Sequence, residues 1–544
     1  MNQRLKSRIQ LYFGSPGSRP DVNHRAPICA HRNLSTEKTL NAKNVTQEET
    51  RTLSSRSDQT SIDHGELGCR NGEVWTAFNY TGLRKGVSDK TLDHIVNFAG
   101  SRFVFFFMWA TLVAWTVVGI IYKAPDNWQV VMQDGQSLQS YFWDTLLMRQ
   151  QLNSSYKHVW ICSNLRSRLS TFKKFLAMEN NKGSVTTVYG EPSSEISGAL
   201  PAESWYDTIC SRASEVIGSL SNMILFWLGI LAWVGCGAVP ISTDRDPPFT
   251  GRYSGSNPEY VRFSDKWQLY VNTGTAVAIL ICTVFLQNIR ARHDGFIEKF
   301  ILDILIMDQK IERHLRTYFC DFETENSNVC IPSPKTNRGA KLIDWYSDVI
   351  GTGIGLFIAF AVIAAWLAIG KTMSWNDNWW LIIGTYTGLV GFLDGFVLRH
   401  VYFRVVCHEE ENYATVAKED LELFQSLAIE IPAECVADID STAPSNSKQY
   451  KISAWINIVC SSEWSVLAAI FLIVILIVIA SILRWSETGQ LLCNTPTMII
   501  EAFFLIVLIQ AHNWADKKRR LQVSALYARR TTLLSYVERS YPLY

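Results

Sequence analysis

Charge is scarce in this chain of 544 residues: 19% are Asp, Glu, Lys or Arg, against 48% hydrophobic. The 51 basic and 50 acidic residues nearly cancel, leaving a formal charge of +1. A protein whose partner is nucleic acid needs a basic excess, and none is present. No two of the 12 Cys stand in a C-x-x-C pair, which removes zinc ribbons and thioredoxin-type sites. The 10 His never fall at H-x3-H or H-x2-H-H spacing, so a di-iron membrane hydroxylase or desaturase is not indicated. Neither a G-x4-G-K-[ST] phosphate loop nor a G-x-S-x-G nucleophile elbow occurs. The expectation is a protein that is not an enzyme and carries no cofactor. The first 20 residues lack the apolar core of a signal peptide, so the first membrane helix is expected to direct insertion.

What the chain has is apolar residues gathered in blocks. Mean hydropathy is slightly positive although residues 1–85 are rich in Ser, Thr and Asn and read as a disordered tail. Seven blocks are long enough to span a bilayer: 102–122, 217–239, 268–289, 349–370, 379–401, 464–484 and 491–512. An eighth, 128–150, is less apolar and is identified by an internal repeat. Trp109-x5-Trp115-x3-Gly119 recurs as Trp227-x5-Trp233-x3-Gly237 and as Phe360-x5-Trp366-x3-Gly370. The helices that follow align without gaps from Trp128, Trp267, Trp379 and Gly489. The chain is therefore expected to be an all-α, polytopic membrane protein built from four helical hairpins, about eight spans. Parallel repeats of this kind are related by an axis along the membrane normal.

The expected divisions are hairpins at 86–160, 205–292, 341–404 and 451–516, with an insertion at 240–266 in the second. Between them lie a helix and linker at 161–204, another at 293–340, and a segment at 405–450. Residues 178–202, 321–340 and 436–449 read as flexible by composition. A basic tail, 517–544, closes the chain. Lys and Arg concentrate between hairpins and in that tail, including Arg166, Arg168, Lys310, Lys517 and Arg519. The short turns at 123–127 and 371–378 hold one Lys each. Both termini and the inter-hairpin segments are accordingly expected to be cytoplasmic.

Steps of three or four residues return to one face of a helix. In the first copy's second helix that face reads Gln133, Gln136, Ser140 and Asp144. The second copy gives Asn272, Thr275, Ile279 and Thr283. The third gives Gly384, Thr387, Gly391 and Gly395, with Asp394 adjacent, and the fourth gives Asn494, Thr497, Glu501 and Leu505. Such a face must meet protein or water, because lipid cannot solvate it. At about 1.5 Å rise per residue, Asp144, Asp394 and Glu501 lie roughly 20 Å from the outer boundary, near the middle of a core about 30 Å thick. No Lys or Arg falls mid-span to neutralise them. A proton or a bound cation remains, and both suggest a transport pathway. Asp144, Asp394 and Glu501 are the candidate metal ligands. Gln133, Gln136, Ser140, Asn272, Thr275, Thr387, Asn494 and Thr497 would line the approach. His400 and His512 could form an inner exit, or simply cap helix ends. Other plain roles stay open: Asn272 and Asn494 as caps, the Gly stripe as a packing seam, the Trp residues as interfacial anchors, the carboxylates as interhelical hydrogen-bonding groups. Oxygen donors suit hard or borderline divalent ions and discriminate poorly among them.

The stretches WQVVMQDGQSLQSYFWDTLLMRQQL, FLQNIRARHD, WNDNWWLIIGTYTGLVGFLDGFVLR and NTPTMIIEAFFLIVLIQAHNWADKKRR resemble the fungal low-affinity iron(II) permeases. The likeness runs from about residue 80 to the C-terminus. It implies uptake of Fe(II) across the plasma membrane, with copper, zinc, manganese, cobalt or cadmium as further substrates, and gives no ligand set. A metal sensor without flux and a monovalent-cation or proton channel are the alternatives.

Overall fold

The computed structural model describes residues 17, 19, 21–29, 69–70, 73–74, 87–180, 205–242, 257, 259–440 and 448–543. Each quarter of the chain repeats three helices. A 13-residue helix comes first: α1 Val87–Ala99, α4 Trp205–Ile217, α7 Arg338–Ile350 and α10 Lys448–Cys460. An apolar helix of 17 to 21 residues follows: α2 Arg102–Tyr122, α5 Leu220–Cys236, α8 Gly353–Gly370 and α11 Glu463–Ile482. A helix of 50 to 55 residues completes the unit: α3 Asp126–Asn180, α6 Asp265–Phe319, α9 Asp377–Ser426 and α12 Glu487–Ser540.

The break between the first two helices is written locally. Gly100-Ser101, Gly218-Ser219, Gly351-Thr352 and Ser461-Ser462 occupy it. Ser101, Ser219 and Ser462 each accept a backbone N–H of the next helix's first turn, the ordinary work of an N-cap. The α4–α5 pair is bent by 57° there. Gly218 also lets the break rest on another helix, since a Cβ would stand 3.0 Å from the Gln510 backbone.

The recurrent Trp and Gly positions clasp each hairpin at its turn. Trp115 stacks on Trp128 at 3.7 Å between ring centroids, Trp233 on Trp267 at 3.8 Å, and Trp366 on Trp379 at 4.3 Å. In each pair both indole N–H groups donate to the partner's backbone carbonyl. Gly119 and Gly237 make room: a Cβ would meet the Trp128 ring at 2.2 Å and the Trp267 ring at 2.6 Å. The fourth hairpin puts Gly489 in the Trp slot, and Cys493 donates to the Leu476 carbonyl instead.

The four long helices form the centre, in the cyclic order α3–α6–α12–α9, with extensive contact along each side and far less across the diagonals. The apolar helices stand outside them. In α2 only 11% of the most apolar window is buried, and in α8 and α11 22%, whereas α6, α9 and α12 reach 61 to 78%. Among the described residues six helices are long and apolar enough to cross a membrane, seven with the bent α4–α5 pair counted as one. Helix α3 falls short for the reason its sequence shows: Gln133, Asp134, Gln136, Ser140 and Asp144 are all buried along it.

Three expectations change. The amphipathic segments placed between hairpins are not separate helices. They continue α3, α6 and α9 without a break, and the basic tail continues α12 to Ser540. No Gly or Pro interrupts 296–319 or 411–426, so the 3.6-residue period runs on. Residues 321–340, read as flexible, include a strand, Val329–Ile331. It pairs antiparallel with Val22–His24 from the segment read as a disordered tail, and a second small antiparallel pair, Cys69–Arg70 with Glu73–Val74, lies in that same segment. That N-terminal segment is tied down: Arg19 donates to Asp348 of α7, Ala26 N–H to Ser167, and Arg168 to Cys29 Sγ. Most of the remaining tail, of the linker at 178–202 and of the insertion at 240–266 lies outside the described residues.

Beyond the membrane-length halves, the long helices share a buried ionic core. Arg530 of α12 reaches Asp308 of α6 and Asp420 of α9, each at 2.7 Å. Arg168 of α3 pairs with Glu312 of α6, which also takes Arg316. All six side chains are at most 2% exposed. Burial pushes the Asp308 carboxyl up to about 6 although Arg530 and Arg168 oppose it. Separating such a pair costs about 3–5 kcal/mol, because the remaining charge cannot reach water. An apolar cluster including Leu169, Ile311, Phe424 and Leu533 encloses the network.

Gly119→Leu should lower thermal stability by at least ~1–3 kcal/mol through collision with Trp128. Gly119→Leu combined with Trp128→Ala should recover much of it. Fluorescence-detected thermal unfolding of the detergent-solubilised protein measures both, and no recovery in the double variant would refute the clasp.

Candidate ion pathway

The polar faces of the long helices turn inward toward one axis. At the turn end, Gln133 of α3 donates to Thr273 of α6 at 3.0 Å and to the Leu269 carbonyl at 3.3 Å. Asn272, 0% exposed, has both amide atoms without a hydrogen-bond partner among the described residues, and Asn494 Oδ1 lacks one as well. Neither is a cap. Ser264 caps α6 and Ser486 caps α12, two turns earlier.

Asp134 belongs to this layer, and the stripe missed it because it lies one residue off the chosen offsets. It is buried, with Oδ2 unpartnered among the described residues. A Cβ on Gly384 would stand 3.5 Å from Asp134 Oδ1 and 3.8 Å from Asn494 Nδ2, so three helices meet there. The signal was available: Asp134 is an acidic residue within the least apolar of the repeated helices.

One turn deeper, Thr275, Thr387 and Thr497 are buried and each donates its hydroxyl to a carbonyl of its own helix. Thr283 does the same. Their oxygen lone pairs remain able to accept. Gln136 donates to Ser140 Oγ at 2.7 Å and leaves Oε1 unpartnered among the described residues.

The three carboxylates lie on three different helices, at 6%, 1% and 7% exposure for Asp144, Asp394 and Glu501. None points to lipid. Asp144 interacts electrostatically with both of the others. Glu501 is hydrogen-bonded to Ser140. Asp394 accepts from the Tyr346 hydroxyl at 2.6 Å, and Tyr346 comes from α7, the short helix that opens the third repeat. Oδ2 of both Asp144 and Asp394 is unpartnered among the described residues, and none of the three carboxylates pairs with Lys or Arg there. The fourth helix, α6, offers Ile279 and Thr283 at these levels. Among the described residues no three His, Cys, Asp or Glu side chains come together closely enough to hold one ion. An ion on this axis would therefore need amide, hydroxyl or carbonyl oxygens, or water, beside any carboxylate.

The Gly stripe of α9 is a seam, and it faces the polar side of α12. A Cβ on Gly388 would stand 2.5 Å from Asn494 Oδ1, and one on Gly391 3.1 Å from Glu501 Oε2. Gly388 and Gly391 bring the α9 backbone against donor oxygens, whereas Gly395 faces Phe504.

The two histidines part company. His400 Nδ1 is 2.7 Å from the Ser461 carbonyl, at the break between α10 and α11. His512 lies at the far end of the axis, its Nε2 3.1 Å from His293 Nδ1 and its Nδ1 3.4 Å from the Tyr402 hydroxyl. His293 in turn lies 3.3 Å from Asp516.

A family model described as low affinity iron permease matches residues 340–402 and 449–535. The chain is 53% identical over 551 residues to a protein of Saccharomyces cerevisiae named low-affinity Fe(2+) transport protein, covering 98% of each. It is 40% identical over 532 residues to the low-affinity iron/zinc ion transport protein of Schizosaccharomyces pombe, covering 97% of this chain and 85% of that one. No solved structure matches.

Gly391→Val should destabilise the protein by ~1–3 kcal/mol, because the branched side chain forces α9 away from Glu501. Adding Glu501→Ala should relieve part of that. A thermal midpoint unchanged in Gly391→Val would mean the seam is not close-packed.

Proposed function

The chain belongs to the low-affinity iron permease family, and from that premise we propose that it carries Fe(II), and with lower discrimination zinc and other divalent transition-metal ions, inward across the plasma membrane through the axis of its four long helices. In this reading eight helices span the bilayer. The eighth is α3, whose polar face needs no lipid because it is the wall of the passage. The turns lie outside, and both termini and the ionic bundle lie in the cytoplasm, following the Lys and Arg distribution.

The observation that carries the reading is the layer of Asp144, Asp394 and Glu501. Three buried carboxylates on three helices, with no basic partner among the described residues, make a site that favours a cation. Asp144 and Asp394 each keep one oxygen free of protein hydrogen bonds among the described residues. Gln136, Ser140 and the Thr hydroxyl oxygens add neutral donors. Asp134, Gln133, Asn272 and Asn494 form the outer approach. Such oxygens suit Fe(II), Mn(II) and Zn(II) with modest selectivity. The driving force is the membrane potential, since two charges gain about 4.6 kcal/mol per 100 mV.

Asp144→Asn, Asp394→Asn and Glu501→Gln should each reduce radiolabelled Fe(II) uptake several-fold at unchanged surface abundance, and the double Asp variant should abolish it. Undiminished uptake in the double variant would remove these residues as ligands. In liposomes holding only the purified protein, an inside-negative potential imposed by a potassium gradient should accelerate Fe(II) entry without nucleotide. Metal binding without entry would identify a sensor, and conductance without metal dependence a monovalent channel.

A further inference from the structure

At the cytoplasmic end of the axis the residues that bound a cavity include Ser155, Arg290, Asp294, Glu409, His512 and Arg519. Arg290 is 3% exposed, and its Nε, Nη1 and Nη2 have no hydrogen-bond acceptor among the described residues. Its guanidinium carbon stands 4.8 Å from the centre of the Tyr402 ring, which holds the plane in place without taking its N–H bonds. A buried guanidinium with its donors unmatched is costly, and such groups are ordinarily paired.

Both carboxylates of that lining are engaged by Arg519. Glu409 receives two hydrogen bonds from Arg519, at 2.5 and 2.9 Å, and Asp294 lies 3.3 Å from the same guanidinium. Arg399, on the other side of Tyr402, donates to the neutral Asn457 side chain. Of the two guanidiniums that line the cavity, Arg519 engages both carboxylates, and Arg290 is the one left without an acceptor among the described residues. Ser155 Oγ is also unpartnered among the described residues and supplies a neutral donor to the cavity.

We propose that this cavity binds one small monovalent inorganic anion, chloride under cellular conditions, held by the Arg290 guanidinium with Ser155 as a second donor. Such an ion would give the Arg290 guanidinium the acceptor it lacks. The cavity is bounded by side chains too closely set to admit a larger organic anion. Occupancy would also cancel the positive charge that a cation meets on leaving the carboxylate layer. That consequence rests on the transport reading, whereas the binding itself does not.

Chlorine NMR line broadening tests the binding directly on the full-length protein in lipid nanodiscs, with gluconate keeping ionic strength constant. The wild type should give saturable broadening above that of empty nanodiscs. R290Q should lose it, and R290K, which keeps the charge, should retain it. S155A leaves every charge in place and should weaken the saturable component several-fold. No broadening above empty nanodiscs in the wild type overturns the site, as does undiminished broadening in R290Q or S155A. Because no metal is present, a negative result leaves the iron-uptake test untouched.

Discussion

A helix that carries glutamine, serine and aspartate along one whole face cannot show that face to hydrocarbon. Helix α3 is such a helix, and the arrangement of the others follows from where it must stand. Its polar face needs partners that are themselves polar on one side, and only α6, α9 and α12 offer them. The apolar helices of the hairpins are hydrophobic all round and suit the outside, where Ile120, Phe357 and Ile482 are largely exposed. The centre is therefore polar and the periphery apolar, the reverse of a water-soluble bundle. Lipid supplies no hydrophobic drive between helices, so association falls to close packing and interhelical hydrogen bonds. Those are visible as the Gly seam of α9, the Gln133–Thr273 pair and the Tyr346–Asp394 bond.

Repetition explains the scaffold, and departures from it mark the chemistry. All four units share the short helix, the break and the long helix, and three share the indole clasp. Along the axis the four copies differ: one places Asp144, another Asp394, another Glu501, and α6 places none. A symmetric ring of four carboxylates would concentrate repulsion at one level. Distributing three over three helices, with Ile279 of α6 fully buried on the remaining side, lowers the charge gathered at that level.

Much of this was legible beforehand because it is periodic. The Trp and Gly spacing exposed the hairpins, and a three-and-four-residue stripe found the inward faces. Loss came where periodicity is blind. Asp134 sits one residue from the chosen stripe, yet a face of an α-helix is wide enough to include it. Composition also cannot show that Trp115 and Trp128 stack. The polar extensions of the long helices read as separate helices because hydropathy falls along them, although the helical period does not. Arg530, Asp308 and Asp420 are scattered over more than 200 residues, and only the parallel course of α6, α9 and α12 makes them neighbours. Arg290 looked like one of many basic residues marking the inner side. Its burial against Tyr402 depends on a helix more than 100 residues away.

Within the transport reading, low affinity follows from how the acidic layer is held. Tight ion sites bring several charged donors to a common radius and fix them by outer contacts. Here the three carboxylates hang from different helices, and the described residues assemble no three-ligand cluster. Tyr346 holds one oxygen of Asp394, and Ser140 engages Glu501, so part of their donor capacity is already spent on protein. A passing cation gains from the negative charge of the layer without being enclosed by it. It is then drawn in by electrostatics, which act on any divalent ion, and is weakly sorted by coordination geometry. Weak binding and broad ion tolerance are, on this view, two results of one arrangement: acidic groups distributed along a passage instead of gathered at a point.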